Sequence, residues 1–179
     1  MNKVRLHDKE FSTYLSKEII QEATKEVARE IQKDMKGKRP LFLIVLNGAF
    51  VFAADLLRQM DLDCELTFVK LSSYVGTKST NTVRELIGLD QTVKDRTVVI
   101  IEDIIDSGLT MEHTIHKLKD LEASEVKIAT LLFKPGAFKR DYKIDYIGLK
   151  IPNDFIVGYG LDYDGLGRNL PDIYKVVPD

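Results

Sequence analysis

The chain has 179 residues, of which 44% are hydrophobic, and its 26 basic and 28 acidic residues leave a formal net charge of -2. This length and composition fit one well-buried core, so we expect a single domain over residues 1–179. The balanced charge argues against a general nucleic-acid binder, and the single cysteine, Cys64, excludes an intrachain disulfide framework and a cysteine-rich metal site.

The first third of the chain predicts a helix and argues against export or membrane insertion. Residues 1–11 have no apolar run of signal-peptide length, so we expect a cytoplasmic protein. Apolar residues recur at helical spacing over about residues 16–36, and Gly37 and Pro40 end that helix. The apolar stretch over residues 41–57 is interrupted by Asn47 and Gly48, which favours two buried elements joined by a turn over a membrane span.

The central part of the chain alternates between strands and helices. Short, apolar, β-rich runs predict strands at residues 41–46, 64–71, 98–101 and 126–133. Helices are predicted between them at residues 49–60 and 110–121. This βαβ alternation indicates an α/β fold with a parallel sheet and helices on both faces, in which ligand sites gather at the carboxyl ends of the strands.

Two stretches depart from this alternation. Residues 72–81 are polar, rich in Ser, Thr and Gly, and have no clear periodicity, which is typical of a mobile loop. Beyond residue 145 the pattern changes to short extended pieces at residues 146–151 and 155–158, followed by a Gly- and Asp-rich tail up to Arg168.

An acidic pair, Glu102 and Asp103, follows the predicted strand at residues 98–101. Two adjacent carboxylates repel each other unless they share something positive. Mg²⁺ binds carboxylates together with waters and substrate oxygens, and a sugar with neighbouring hydroxyls beside a pyrophosphate would complete its shell. The pair therefore predicts a magnesium site or, alternatively, direct binding of ribose hydroxyls.

The sequence DSGLT at residues 106–110 predicts a turn into the next helix. Gly108 lets the backbone approach a ligand closely, and a helix N-terminus favours an anion. Ser107 and Thr110 add hydroxyl donors, and the loop suits one monophosphate because it lacks the lysine of a Walker motif. The alternative is that Asp106 and Ser107 merely cap the helix, although a cap does not require the two carboxylates before it.

The segment VVIIEDIIDSGLT at residues 98–110 resembles the signature with which type I phosphoribosyltransferases bind phosphoribosyl pyrophosphate. Four other segments look like those of the hypoxanthine-guanine members of that family, in the same order. They are LNGAFVFAADL at 46–56, SSYVGTKST at 72–80, LLFKP at 131–135 and IPNDFIVGYGLDYDGLGRNLP at 151–171. The resemblance implies the type I phosphoribosyltransferase fold, with a small hood of short extended segments contributed by the N-terminal residues and about residues 145–179.

The same resemblance implies a reaction. A 6-oxopurine, hypoxanthine or guanine, would displace pyrophosphate from phosphoribosyl pyrophosphate and give IMP or GMP for purine salvage. Mg²⁺ is the implied cofactor, and a homodimer or homotetramer is the implied assembly. Glu102 and Asp103 would bind the ribose hydroxyls and the metal, and Asp106 would act as general base at N7 of the purine. The 5-phosphate would be held by Asp106, Ser107, Gly108, Leu109 and Thr110.

The purine side of the site is also implied by the resemblance. Lys134 follows a predicted strand, and its ammonium can donate to a 6-oxo group but cannot accept from a 6-amino group. Phe155 would stack on the purine, and the backbone of Ile156 would meet its edge. Asp162 would reach the 2-position of the purine or a second magnesium ion.

The pyrophosphate loop and the lid complete the implied site. Pyrophosphate would contact Leu46, Asn47, Gly48 and Arg168. A lid over about residues 72–88, including Ser73 and Tyr74, would exclude water from the sugar. The sequence departs from the family where Asn47 replaces the lysine of many relatives. It departs again after Lys134, where residues 135–138 lack an arginine of some relatives and leave Lys139 or Arg140 as substitutes.

Two other functions are compatible with parts of the pattern. The first is a non-catalytic regulator that senses nucleotides or binds RNA on the same fold, because fold does not fix function. The second is a phosphorylated receiver-like domain, which also has acidic residues at strand ends. Asp106, Lys134 and Asp162 favour the enzyme over the regulator, and the DSGLT loop argues against the receiver.

Overall fold

The computed structural model describes residues 2–74, 82–87 and 92–178, and for residues 72–74 and 82–87 it describes the backbone alone. Within these residues the chain forms three helices and ten strands. In chain order they are β1 (Lys3–Leu6), β2 (Lys9–Leu15), α1 (Lys17–Asp34), β3 (Leu41–Leu46), α2 (Phe50–Arg58), β4 (Glu65–Tyr74), β5 (Thr82–Ile87), β6 (Thr97–Ile105), α3 (Leu109–Asp120), β7 (Glu125–Phe133), β8 (Tyr146–Lys150), β9 (Ile156–Val157) and β10 (Ile173–Val176).

The main sheet has the strand order β5-β4-β3-β6-β7-β8. The five strands from β4 to β8 in this order are parallel, and β5 pairs with β4 in the antiparallel sense. From β3 the chain first adds β4 on one side, then returns to add β6, β7 and β8 on the other side. The strand order thus reverses between β3 and β6, and in doubly wound sheets such a switch point opens a crevice at the carboxyl ends of the strands.

Helices cover both faces of the main sheet, which confirms the predicted fold class. On one face α2 packs against β3 and β6 and α1 packs against β7 and β8, with Ile20, Phe42 and Phe52 fully buried in a shared apolar cluster. On the other face α3 buries Met111 and Leu118 against the neighbouring residues of the same strands. The central strands β3 and β6 are apolar on both sides because both sides are covered.

A second, antiparallel sheet with the order β1-β2-β10-β9 lies beside the main sheet and corresponds to the hood. The N-terminal residues do contribute to it, through β1 and β2. Residues 146–151, however, were expected in the hood, and that expectation is wrong for β8. This strand pairs in parallel with β7, with Tyr146 opposite Ala129, because burial of Tyr146 against α1 makes it an edge strand of the main sheet.

The segment predicted as a polar loop over residues 72–81 begins as a strand. The backbone of residues 72–74 continues β4, and Tyr74 pairs with Thr82 of β5. Residues 75–81 and 88–91 lie outside the described residues, so the lid remains a prediction, as do the roles of the Ser73 and Tyr74 side chains. No helix in the described ranges is long and apolar enough to cross a membrane.

Candidate active site

A cavity of about 480 Å³ opens at the carboxyl ends of β3 and β6, where the strand order reverses. It gathers residues from the main sheet, from α3 and from the hood. The predicted site residues in its wall are Leu46, Gly48, Glu102, Asp103, Asp106, Ser107, Gly108, Leu109, Thr110, Lys134, Phe155, Ile156, Asp162 and Arg168. Asn47 does not line the cavity, since it lies exposed at the turn between its two lining neighbours.

The acidic pair lies in the last part of β6, which is longer than predicted and continues past it to Ile105. Glu102 and Asp103 are each only 8% exposed. Burial, followed by repulsion from Asp103, raises the pKa of Glu102 well above its usual value, and burial also raises the pKa of Asp103. The backbone N–H of Ile104 donates to Asp103 at 2.7 Å. Two buried carboxylates this close favour a shared proton or a bound cation.

The loop after β6 leads into α3 through Gly108, which has φ +82° and is the N-cap residue of the helix. This N-cap receives no side-chain hydrogen bond, so the alternative in which Asp106 and Ser107 merely cap the helix is not what the structure shows. Within the described chain, the backbone N–H groups of Ser107–Met111 have no hydrogen-bond acceptor. Free N–H groups at a helix N-terminus suit an anion.

Lys134 follows directly on β7, and its backbone N–H donates to the carbonyl of Ile105 at 3.0 Å. This bond holds Lys134 beside the end of β6. Lys134 is 8% exposed, and its ammonium lies 3.2 Å from Oδ2 of Asp106. The structure therefore brings together Asp106 and Lys134, two of the side chains that the resemblance assigns to the purine.

The hood closes the opposite wall of the cavity. Phe155 is 44% exposed, and its ring makes an edge contact with Tyr163 at 5.6 Å between centroids. The Arg168 guanidinium pairs with Asp162 at 2.6 Å and donates to the carbonyl of Gly160 at 2.7 Å. Asp162 belongs to this hood pair and does not join the acidic pair on β6.

The loop between β3 and α2 touches both the acidic pair and the hood. The peptide bond between Leu46 and Asn47 is cis. A Cβ on Gly48 would lie 1.6 Å from Oδ2 of Asp103, and a Cβ on Gly160 would lie 2.1 Å from the carbonyl oxygen of Gly48. Three segments far apart in sequence meet here without room for side chains, so these two glycines allow the cavity to form.

The carboxylates of the described residues suit a cation that binds together with the substrate. They suit less well a cation that the protein alone would hold. Among the described residues, no group of three or more His, Cys, Asp or Glu side chains could hold a metal ion. Mg²⁺ commonly keeps several waters and binds one or two carboxylates plus substrate oxygens. The buried carboxylates of Glu102 and Asp103 fit that smaller share of a shell.

Sequence reasoning missed several residues that support the site from behind. The phenol of Tyr142 donates to the carbonyl of Gly108 at 2.9 Å, and the phenol of Tyr159 donates to Asp55 on α2 at 2.6 Å. Arg140, considered a substitute for an arginine in the site, pairs instead with Glu112 of α3 at 3.4 Å. No local pattern marks these residues, because their partners come from distant parts of the chain.

Comparison with known proteins gives one consistent result. The phosphoribosyl transferase domain family matches residues 11–164. The hypoxanthine-guanine phosphoribosyltransferase of Bacillus subtilis is 42% identical over 96% of this chain and 96% of its own length. The crystal structure of the same kind of enzyme from Bacillus anthracis, with a HEPES molecule in its active site, superposes with a TM-score of 0.88 at 41% identity, covering 93% of this chain and 98% of that one.

Some relatives are much longer than this chain. The bifunctional protein TilS/HprT of Listeria monocytogenes is 39% identical over 97% of this chain, which spans 27% of that protein. The similarity to the shorter relatives extends over almost their whole length and includes every segment that lines the cavity. The chain belongs to the phosphoribosyltransferase family, among its hypoxanthine-guanine phosphoribosyltransferases.

Proposed function

We propose that the protein transfers the 5-phosphoribosyl group from phosphoribosyl pyrophosphate to hypoxanthine, guanine or both, giving IMP or GMP and pyrophosphate for purine salvage. One observation carries this proposal. A single cavity places a buried carboxylate pair, a helix N-terminus with free N–H groups and the Lys134–Asp106 pair around one space. These groups match the ribose, the 5-phosphate and the purine of the two substrates.

The sugar phosphate binds along β6 and the start of α3. The 5-phosphate accepts hydrogen bonds from the N–H groups of residues 107–111 and from the hydroxyls of Ser107 and Thr110, with favourable charge from the helix N-terminus. Glu102 and Asp103 accept hydrogen bonds from the ribose hydroxyls. Because both carboxylates are buried, their charge acts strongly on a nearby sugar.

The purine lies between the end of β7 and the hood. Lys134 donates to the 6-oxo group, the exposed ring of Phe155 stacks on the base, and the backbone of Ile156 meets its edge. Asp162 approaches the 2-position, where guanine carries an amino group. An adenine 6-amino group has no acceptor in Lys134, so adenine is disfavoured.

Pyrophosphate leaves toward the Leu46–Gly48 turn and Arg168. The backbone N–H groups of this turn, at the start of α2, bind the anion, and the exposed Asn47 side chain supplies no charge. Mg²⁺ bound with the substrate at Glu102 and Asp103, and a second Mg²⁺ at Asp162, would neutralise the departing pyrophosphate. Arg168 must exchange part of its pairing with Asp162 for pyrophosphate.

The chemistry follows from where charge develops. Breaking the bond between C1 and the pyrophosphate oxygen leaves positive character on C1 and the ring oxygen, and nearby carboxylates stabilise it. The purine nitrogen forms the new bond to C1 as the old one breaks. Asp106 takes the proton from N7, and the adjacent Lys134 ammonium balances the charge of its carboxylate. The predicted lid over about residues 72–88 would exclude water during this step.

A substrate panel tests the proposal. The purified protein is incubated with Mg²⁺, phosphoribosyl pyrophosphate and, separately, hypoxanthine, guanine, xanthine and adenine, and pyrophosphate release is measured. We expect release with hypoxanthine or guanine and at most a trace with adenine. Binding of nucleotide without release with any base would defeat the enzyme and favour the nucleotide-sensing regulator.

We also propose a homodimer or homotetramer in the cytoplasm. The support for assembly is an apolar surface formed by Phe50 of α2 and by Leu66 and Phe68 of β4, each 41–47% exposed. The register of β4 with β3 turns Leu66 and Phe68 to the face on which α2 lies. Light scattering should give two or four times 20.4 kDa, and Phe68→Lys should shift the mass toward 20.4 kDa. A monomeric wild-type protein would contradict the assembly.

A further inference from the structure

The loop at residues 106–110, here called the phosphate loop, is covered by residues 138–142 on the side that does not line the cavity. A Cβ on Gly108 would lie 2.6 Å from the ring of Phe138, 2.7 Å from the hydroxyl of Tyr142 and 2.9 Å from Cγ of Arg140. The rings of Phe138 and Tyr142 meet edge to face at 5.2 Å, and Phe138 packs in the same way on Phe133 at 5.3 Å. This aromatic cover belongs to the apolar cluster beneath α3.

The phenol of Tyr142 donates a hydrogen bond to the backbone carbonyl of Gly108. The direction of this carbonyl affects whether the loop attracts an anion. The Gly108 carbonyl accepts from the phenol of Tyr142 at 2.9 Å and from the backbone N–H of Glu112 at 3.1 Å. The second of these is the first hydrogen bond of α3, so the carbonyl points along the helix and away from its open N-terminus. If this carbonyl pointed the other way, its partly negative oxygen would face the phosphate and repel it.

The cover also ties the phosphate loop to the purine side. After Lys134 the chain turns tightly, with the N–H groups of Ala137 and Phe138 donating to the Lys134 carbonyl at 3.1 and 3.2 Å. It then passes over Gly108 and places Tyr142 on it. One short segment therefore begins at the residue that faces the purine and ends at the hydrogen bond that fixes the phosphate loop.

We propose that Tyr142 is a positioning residue for the phosphoribosyl substrate: its hydroxyl holds the Gly108 carbonyl away from the cavity, so that the backbone at the start of α3 presents N–H groups to the 5-phosphate. This inference rests on the proposed function. Tyr142 does not line the cavity, so it acts on the substrate through the loop.

The surroundings of Tyr142 keep it a donor. Burial, followed by the charge of Glu112, raises the pKa of Tyr142 above that of an ordinary phenol. The hydroxyl thus stays protonated at neutral pH. The charged groups that act on it are Glu112 and Arg140, which pair with each other at 3.4 Å, and the buried Glu102. The hydrogen bond between Tyr142 and Gly108 therefore does not change when the pH varies around neutrality.

Tyr142→Phe removes the hydroxyl and leaves the ring contacts. We expect the KM and the Kd for phosphoribosyl pyrophosphate to rise about three- to tenfold, the factor that corresponds to one net hydrogen bond. The KM for hypoxanthine and the value of kcat should change less than twofold, since Lys134 and Asp106 are untouched.

A matched control is available in the same segment. Tyr146 donates its phenol to Asp34 of α1 at 2.9 Å, on the other side of the main sheet from the loop, so Tyr146→Phe also removes one buried hydroxyl. It should lower the thermal midpoint without raising the KM for phosphoribosyl pyrophosphate. Thermal unfolding and titration calorimetry with phosphoribosyl pyrophosphate are measured on both variants and on the wild type.

The outcomes separate this inference from the function on which it depends. If the wild type neither binds nor turns over phosphoribosyl pyrophosphate, the proposed function fails. If the wild type is active and Tyr142→Phe keeps the wild-type KM for this substrate, the positioning role is wrong and the function stands. An equal rise in both KM values, or the same change in Tyr146→Phe, would reduce Tyr142 to a purely structural residue and overturn the inference.

Discussion

Replacing Glu102 by glutamine should make the protein more stable and less active. In the folded protein Glu102 and Asp103 are buried side by side, and burial and mutual repulsion raise the pKa of Glu102. When protonated, Glu102 donates a hydrogen bond to Asp103. The amide of glutamine supplies an N–H donor of the same shape at every pH, so Glu102→Gln replaces a repulsive pair by a hydrogen-bonded one.

The pH dependence of this effect has a definite sign. Because the pKa of Glu102 is raised by folding, the folded state holds more protons than the unfolded state above the usual carboxyl value of 4.5. The wild-type free energy of unfolding therefore falls as the pH rises from that value toward the raised pKa. Glutamine does not titrate, so the advantage of the variant should be small near pH 4.5 and should grow toward neutral pH.

The expected gain at pH 7 is about 1–3 kcal/mol, the usual cost of a buried polar group that lacks a partner. For a chain of this length that is roughly 2–4 °C in Tm for each kcal/mol. Urea unfolding and thermal scans at pH 4.5 and pH 7, without Mg²⁺, measure it. The control is Glu30→Gln, at an exposed position of α1, where we expect a change within about 0.5 kcal/mol.

Equal stability of Glu102→Gln and the wild type at pH 7, or a gain that is the same at both pH values, would show that repulsion within the buried acidic pair does not destabilise the wild type. Full activity would exclude a role of Glu102 in stabilising positive charge on the sugar, because a neutral amide at position 102 cannot stabilise that charge as a carboxylate does.

Three other variants test other parts of the site. Asp106→Asn should lower kcat about 10²- to 10⁴-fold, the usual effect of a general base, while calorimetry shows unchanged binding of phosphoribosyl pyrophosphate; near-normal turnover would remove Asp106 from that role. Lys134→Ala should weaken apparent purine affinity more than affinity for phosphoribosyl pyrophosphate, and the opposite ranking in steady-state kinetics would exclude its purine role. Gly160→Ala should lower the free energy of unfolding by about 1–3 kcal/mol more than Gly165→Ala, because both glycines have positive φ but only the first added Cβ would meet the Gly48 carbonyl, at 2.1 Å. Equal losses in urea unfolding of these two variants would contradict that close contact.

Local patterns in the sequence were sufficient for β3, β4, β6 and β7 of the main sheet and for the helices, but they did not predict β5 and did not place β8 in this sheet. The apolar run at residues 41–46 and the helical spacing at residues 16–36 are observed as β3 and α1. These patterns work because β3 is buried on both faces and α1 on one. The cavity follows from them, since the carboxyl ends of parallel strands lie at one edge of the sheet.

Other features depend on pairing between distant segments, which local periodicity does not reveal. The segments of β1 and β2 mix charged and apolar residues, and they form strands because β2 pairs with β10 near the other end of the chain. The hydrogen bond between Tyr142 and Gly108 also depends on contact between distant segments, as does the close approach of Gly48 and Gly160. Glycine at these positions is informative only once the partner segment is known.

Phosphoribosyl transfer to a purine is observed directly in a phosphorus NMR spectrum of the complete reaction with hypoxanthine. If the cavity holds both substrates and joins them at C1, phosphoribosyl pyrophosphate should disappear while IMP and pyrophosphate appear in equal amounts. Phosphoribosyl transfer to hypoxanthine would be excluded if ribose 5-phosphate formed in place of IMP. It would also be excluded if the spectrum stayed unchanged with protein present at the concentration of the substrates.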